Sequence, residues 1–108
     1  MGKRSSNAND EALEVLSGSF AATGASAGRA MWGDFNIALS GTFVGTVTVE
    51  RSFDGGITFI PVARDTSGTA ASFTAPTSLS ISEPEKGVLY RLNCTAYTSG
   101  TVNYRLSQ

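Results

Sequence analysis

The chain has no histidine among its 108 residues, and this absence removes several kinds of catalytic site. Histidine is the commonest general base at neutral pH, and it belongs to the Ser-His-Asp and Cys-His arrangements of hydrolases. One cysteine and scattered acids cannot compose the usual ligand sets of a zinc site. We therefore expect no enzyme activity, no cofactor, no metal site and no small-molecule substrate.

Cysteine and charge are both scarce. The single cysteine, Cys94, cannot close a disulfide within the chain, and its alternating neighbours predict a buried, inert position. Charged residues make up 16% of the sequence, against about 25% in typical soluble domains, and the net charge is −1. The eight basic residues are scattered and form no stripe that could neutralise a phosphate backbone, so we expect no nucleic-acid partner.

Long apolar runs are missing as well. No run approaches the roughly 20 residues of a membrane span, and we expect no membrane partner. The N-terminal sequence MGKRSSNANDEALE lacks the apolar segment of a signal peptide. We therefore expect synthesis in a cytoplasm.

The N-terminal residues differ in pattern from the rest. Residues 1–10 are small and polar, and the run NDEALEVL that follows has the composition of one or two helical turns. We predict a flexible arm over residues 1–16 and a domain over residues 17–108. Leu13, Val15 and Leu16 are the arm's candidate contacts to a partner.

From Ser17 onward the apolar residues recur with a period of two, which is typical of strands. The strongest pattern, GVLYRLNCTAY, is followed after a short turn by TVNYRLS, and we predict that these two strands form a hairpin. Seven or eight short strands with Gly-rich turns predict a β-sandwich. The inward positions are predicted at Phe35, Ile37, Leu39, Val47, Val49, Val88, Tyr90, Leu92, Cys94, Ala96, Val102, Tyr104 and Leu106.

Paired carboxylates can carry out glycosidase chemistry, and the sequence offers two candidate pairs. Glu50 with Asp54, and Glu83 with Glu85, are both expected at the surface and not in catalysis, because Glu50 shares its face with polar residues and the second pair flanks a proline. Trp32 is expected in the core; its alternative is an exposed platform for stacking sugars.

The stretch RSFDGGITF resembles the Asp box of sialidases and other carbohydrate-active β-propellers, with Phe59 in place of the usual Trp. In such a hairpin the Asp54 carboxylate would accept backbone N–H groups, while Gly55 and Gly56 form the turn. Phe53 and Phe59 are expected to fix its strands to the core. The box occurs once in a chain too short for a propeller, so we predict a structural turn; the alternative is a turn-bound cation near Asp54.

The run LSISEPEKGVLYRL resembles the corner between two strands of immunoglobulin-like and fibronectin type III domains. There a tyrosine hydroxyl bonds back to the backbone of the corner. This resemblance implies a structural corner at Pro84, Gly87 and Tyr90 and an immunoglobulin-like sandwich, without the Cys-Trp-Cys framework of antibodies. A jelly roll with the same number of strands is the alternative topology.

The sequences VTVERSFDGGITFIPVARD and EPEKGVLYRLNCTAYTSGTVNYRLSQ resemble small structural proteins of tailed bacteriophage virions. The resemblance implies a capsid decoration (cement) protein, made in the bacterial host, that binds the outer surface of the major capsid protein as a homotrimer. The alternatives are a neck, tail or fibre module and a carbohydrate-binding module.

Overall fold

The computed structural model describes residues 15–64 and 67–108, and over these residues the chain forms strands and no helix. Most of the predicted arm, with Leu13, lies outside the described residues. The strands are β1 Val15–Phe20, β2 Gly24–Ala25, β3 Arg29–Ala30, β4 Gly33–Ser40, β5 Phe43–Ser52, β6 Ile60–Pro61, β7 Ser72–Phe73, β8 Thr77–Glu83, β9 Leu89–Gly100 and β10 Val102–Ser107.

The strands form two antiparallel sheets packed face to face, so the predicted β-sandwich is confirmed. Sheet I has the order β1-β10-β4-β8, and sheet II has the order β2-β9-β5-β6, with β3 also on β9 and β7 also on β5. Counting β2 with β3, and β6 with β7, as single interrupted strands leaves eight strands. Nearly every consecutive pair of them lies in different sheets. Of the two topologies left open above, this connectivity is that of a jelly roll.

The predicted hairpin of the last two strands is wrong, because β9 lies in sheet II and β10 lies between β1 and β4 in sheet I. The chain crosses between the sheets at Gly100, whose φ is 88°. The next residue, Thr101, donates its N–H to the carbonyl oxygen of Thr42 at 3.0 Å. A Cβ on Gly100 would overlap that carbonyl, so the short crossing requires glycine.

The core lies between the inner faces of the two sheets. Phe35 and Tyr90 meet edge to face, with ring centroids 4.6 Å apart, and Cys94 is buried as predicted. The predicted inward positions hold except at Ala96, which is exposed, and at Tyr104, which is half-buried against Phe20. A register shift between Thr46 and Val47 moves Ala96 out of the alternation.

The predicted boundary of the arm at residue 16 is also wrong. Val15 and Leu16 belong to β1, where Val15 pairs with Ser107 and Leu16 with Leu106. Leu16 is only 9% exposed and is part of the core. Its apolar side chain therefore serves the sandwich and is not available to a partner.

Candidate functional site

The residues singled out in the sequence converge on one end of the sandwich. At this end β5 finishes at Ser52 opposite Leu89, and β8 finishes at Glu83 opposite Gly33. We call it the Trp32 end, formed by residues 30–33, 53–60 and 84–88. The opposite end is formed by residues 21–23, 41–42, 74–76 and 100–101.

The Asp54 turn closes on itself through hydrogen bonds. The buried hydroxyl of Ser52 donates to Oδ1 of Asp54 at 2.6 Å and accepts the N–H of Gly56 at 2.9 Å. The N–H of Thr58 donates to the same carboxylate oxygen at 2.8 Å. Both bonds lower the pKa of Asp54, and the bond from Ser52 has the larger effect. The carboxylate thus acts as an acceptor within its own turn, and the buried serine is a second anchor that the sequence did not indicate.

The two phenylalanines of this loop do not fix it to the core. Phe53 is 49% exposed, with the guanidinium of Arg51 4.9 Å from its ring centroid, so its predicted core position is wrong. Phe59 is half-buried and lies over Arg91, whose guanidinium carbon is 3.9 Å from the ring centroid. Because Arg91 is on the outer face of sheet II, Phe59 covers that face and not the core.

Glu50 is bonded to the same Arg91, and its predicted exposure is wrong. Glu50 is 8% exposed and accepts from Nε of Arg91 at 2.8 Å and from Nδ2 of Asn93 at 3.1 Å. Both carboxylate oxygens therefore have partners on β9. Glu50 and Asp54 are bonded to different groups and do not form a paired carboxylate site.

The second predicted surface acid, Glu83, is 2% exposed, so this prediction is also wrong. Its Oε1 accepts from Nη1 of Arg51 at 2.9 Å and from the hydroxyl of Tyr90 at 2.8 Å. Its Oε2 accepts the N–H of Glu85 at 3.0 Å. Pro84 and Gly87 lie exposed in the corner beside it. The tyrosine thus reaches the corner through the Glu83 side chain, where the resemblance implied a backbone acceptor.

The ionisation of this cluster follows from its burial and its hydrogen bonds. Burial opposes the charge on Glu83, but the donors Glu85 N–H, Tyr90 and Arg51 outweigh it and lower the pKa of Glu83. Burial and the bond to Glu83 raise the pKa of Tyr90 to about 12. At neutral pH the cluster is a carboxylate held by a guanidinium and a neutral phenol.

Trp32 is 54% exposed, which contradicts its predicted core position. Met31 occupies the core instead, with its N–H donated to the carbonyl of Val88 at 3.2 Å. Since neighbouring residues of extended chain point to opposite sides, Trp32 then faces outward. The ammonium of Lys86 lies 4.6 Å from its ring centroid, and Nε2 of Gln108 donates to its carbonyl at 2.6 Å.

Large exposed apolar side chains concentrate at this same end. Of the five in the described part of the chain, four belong to the Trp32 end: Trp32, Phe53, Ile57 at 86% exposure and Ile60 at 44%. The fifth, Val44, is 59% exposed and lies toward the opposite end of β5. The sequence signal for this surface is the apolar content of the 53–60 loop, of which only Phe53 and Phe59 are predicted to pack on the core.

The described residues contain no group of three His, Cys, Asp or Glu side chains that could hold a metal ion. These residues also form no helix that is long and apolar enough to cross a membrane. No protein-family model, curated protein or solved structure matches this chain. The Trp32 end is therefore the candidate site on the strength of its own geometry.

Proposed function

We propose that this chain is a structural protein of a bacteriophage virion, a capsid decoration protein that seats its Trp32 end on the outer surface of the major capsid protein. The observation that carries the proposal is the gathering of Trp32, Phe53, Ile57 and Ile60 at one end of the sandwich. The resemblance of the sequence to small virion proteins supplies the kind of partner.

Exposed apolar residues grouped on one surface are a common mark of a protein interface. Scattered single residues need no explanation, but here two aromatic residues and two isoleucines belong to one end of the sandwich. Aromatic side chains are enriched at interfaces because they bury a large area with few torsions. Ile57 in the 53–60 loop has the most exposed of these side chains, so a partner that covers it would bury the largest fraction of its apolar surface.

The charged groups support binding more than chemistry. Glu50, Asp54 and Glu83 are each engaged by donors inside the fold. These bonds hold the loops of the Trp32 end in place, and a preorganised surface loses less entropy on binding. A capsid also repeats each contact many times, so a modest affinity per subunit would be sufficient if subunits act together.

The jelly-roll architecture is compatible with this role, since viral capsid domains use it. The same fold also serves unrelated proteins, so it gives only architectural support.

The test is reconstitution on purified capsids that lack the protein. Ile57→Ser and Trp32→Ser should reduce the amount bound, because each removes apolar area from the proposed contact. Val44→Ser is the matched control, since it removes a similarly exposed apolar side chain outside that contact. Equal binding by all three variants, with unchanged folding, would contradict the proposed surface.

Copy number tests the virion position separately. A decoration protein should be present in purified virions at a number comparable with that of the capsid subunits, whereas a neck or tail protein should be far rarer. Quantitative mass spectrometry of the particle gives this ratio. Absence from the virion would overturn the proposal altogether.

The exposure of Trp32 also favours a second candidate, a carbohydrate-binding module. A sugar would stack on an open indole face. One face here is covered by Lys86, with its ammonium 4.6 Å from the ring centroid. We therefore rank this function second; glycan-array binding that is lost in Trp32→Ala would favour it over the capsid role.

A further inference from the structure

Strand β8 is a free edge of sheet I. It pairs with β4 on one side, and within the described residues no strand pairs with its other side. Proteins usually protect such edges with lysine, proline, a bulge or a very short strand. β8 has seven residues, TSLSISE, without lysine or proline, and its register with β4 is continuous.

The other sheet edges are less suited to pairing. In sheet II the edge strands β2 and β6 have two residues each, and β6 contains Pro61. In sheet I the edge strand β1 contains Gly18, which weakens a strand. Among the described strands, β8 is thus the longest edge without such an interruption.

The side chains of β8 also lack complete cover. Leu79 and Ile81 point inward but are only half-buried. They line a groove of about 330 Å³ between β8 and the edge of sheet II, together with Val62, Ala71 and two arginines, Arg51 and Arg64. The serines that alternate with them, at positions 78, 80 and 82, are exposed on the outer face.

We propose that β8 pairs antiparallel with β8 of a second copy of this chain, with the two-fold axis passing at Ser80. In the segment SLSIS the order of polar and apolar residues is the same in both directions from Ser80. In this register Leu79 faces Ile81 of the second copy, and Ser78 faces its Ser82. Apolar side chains then meet on the inner face and hydroxyls on the outer face, which is the pairing that stabilises sheets.

Charge favours the same register. The one ionisable residue of β8, Glu83, faces Thr77 of the second copy and not another acid. Its carboxylate is already bonded to Arg51 within its own chain. No like charges of β8 are therefore brought together, and the interface is closed because both copies use the same surface.

The size of the edge sets the expected strength. A seven-residue strand is about 23 Å long, and a sheet occupies about 10 Å in thickness, so pairing covers roughly 230 Å² per copy. A standard interface buries about 800 Å² per partner. The pairing should therefore be weak and reversible, and the fraction of chains in the dimer should rise with protein concentration.

Cysteine trapping tests the register. In Ser80→Cys the two thiols lie on the axis, at the separation of opposed residues in an antiparallel pair, about 4.5–5.5 Å between Cα atoms, which a disulfide can bridge. In Ser78→Cys the thiols of the two copies are offset by four residues along the paired strands, because each faces position 82 of the other copy. Mild oxidation of the full chain should give a covalent dimer with Ser80→Cys and little with Ser78→Cys. A mixture of Ser78→Cys with Ser82→Cys should restore the cross-link.

Sedimentation velocity over a range of concentrations tests the pairing without a cross-link. The expected species has twice the chain mass of 11.2 kDa. Ser80→Lys should shift the protein to monomer, because it opposes two lysines on the axis, whereas Ser19→Lys on β1 should not. Equal cross-linking at positions 78 and 80, a trimer, or a monomer up to about 1 mM would overturn the inference. None of these outcomes depends on binding to capsids.

Discussion

Nη1 of Arg51 and Oε1 of Glu83 lie 2.9 Å apart and join the two sheets of the sandwich at the Trp32 end. Arg51 comes from β5 in sheet II, and Glu83 comes from the last position of β8 in sheet I. The carboxylate is 2% exposed and also accepts the hydroxyl of Tyr90 and the N–H of Glu85. One side chain therefore links both sheets to the corner that leads into β9.

Glu83→Gln should lower the free energy of unfolding by about 2–3 kcal/mol. The change leaves the Arg51 charge without its buried partner, which usually costs about 3–5 kcal/mol, and the partial exposure of Arg51 reduces the effect. Urea denaturation measures the difference. Glu85→Gln is the control, since that side chain is exposed, and it should change stability by less than about 0.5 kcal/mol. Equal effects of the two substitutions would contradict the assignment.

A double-mutant cycle separates the pair from general damage. Arg51→Met should be more destabilising in the native protein than in the Glu83→Gln variant, because that variant has already lost the partner charge. Additive effects would show that the contact itself contributes nothing.

Acid should weaken the fold through the same carboxylate. The pKa values of Glu83 and Asp54 are lowered from the ordinary values of 4.5 and 3.8. Their contribution is therefore present above those ordinary values and is lost as the pH falls through the lowered ones. Thermal melts between about pH 6 and pH 2 should show a smaller loss for Glu83→Gln than for the native chain. Parallel curves would exclude Glu83 as a source of the acid sensitivity.

Alkali should weaken the fold through Tyr90. Its pKa is raised from 10.0 to about 12, so the folded chain keeps a proton that the unfolded chain loses. The contribution is complete below pH 10 and is lost as the pH rises toward 12. Tyr90→Phe should be less stable at neutral pH, because it removes a buried donor to Glu83, but should lose less stability over that alkaline range. Tyr97→Phe, which removes an exposed hydroxyl, is the control.

The sandwich was predictable because the alternation of residues such as Val47, Val49, Leu92 and Val102 depends only on local sequence and on the two-residue period of a strand. Cys94 was predictable for the same reason. The Asp54 turn was also indicated locally, since its acid and glycines lie within three consecutive residues.

The remaining differences came from contacts between distant residues. Glu50 has the pattern of an exposed face, but it is buried where Arg91 and Asn93 of β9 donate to its carboxylate. Glu83 is buried because its partner Arg51 comes from the other sheet. Strand pairing is similar: β9 and β10 are adjacent in sequence, but β10 pairs with β1 and β4.

The hydrogen bonds of the Asp54 turn should contribute to the stability of the fold. Asp54→Ala should lower the free energy of unfolding, because it removes the acceptor of the Thr58 N–H and of the Ser52 hydroxyl. Asp54→Asn keeps an acceptor oxygen and should lose less. Asp34→Ala, at an exposed position, is the control. An unchanged melting temperature in Asp54→Ala would contradict this role.

The crossing between the sheets at Gly100 should be among the positions least tolerant of a side chain. Gly100 and Gly87 have similar φ values, 88° and 84°, so alanine is strained at both. At Gly87 the added Cβ would meet no atom within 4 Å, and we expect a loss of about 1 kcal/mol. At Gly100 it would overlap the Thr42 carbonyl oxygen and press on the Cα of Phe43. We expect Gly100→Ala to lose about 3 kcal/mol, since strain and overlap add. Equal melting temperatures for the two variants would contradict this prediction, because they would mean that the link from β9 to β10 relaxes enough to remove the overlap with Thr42.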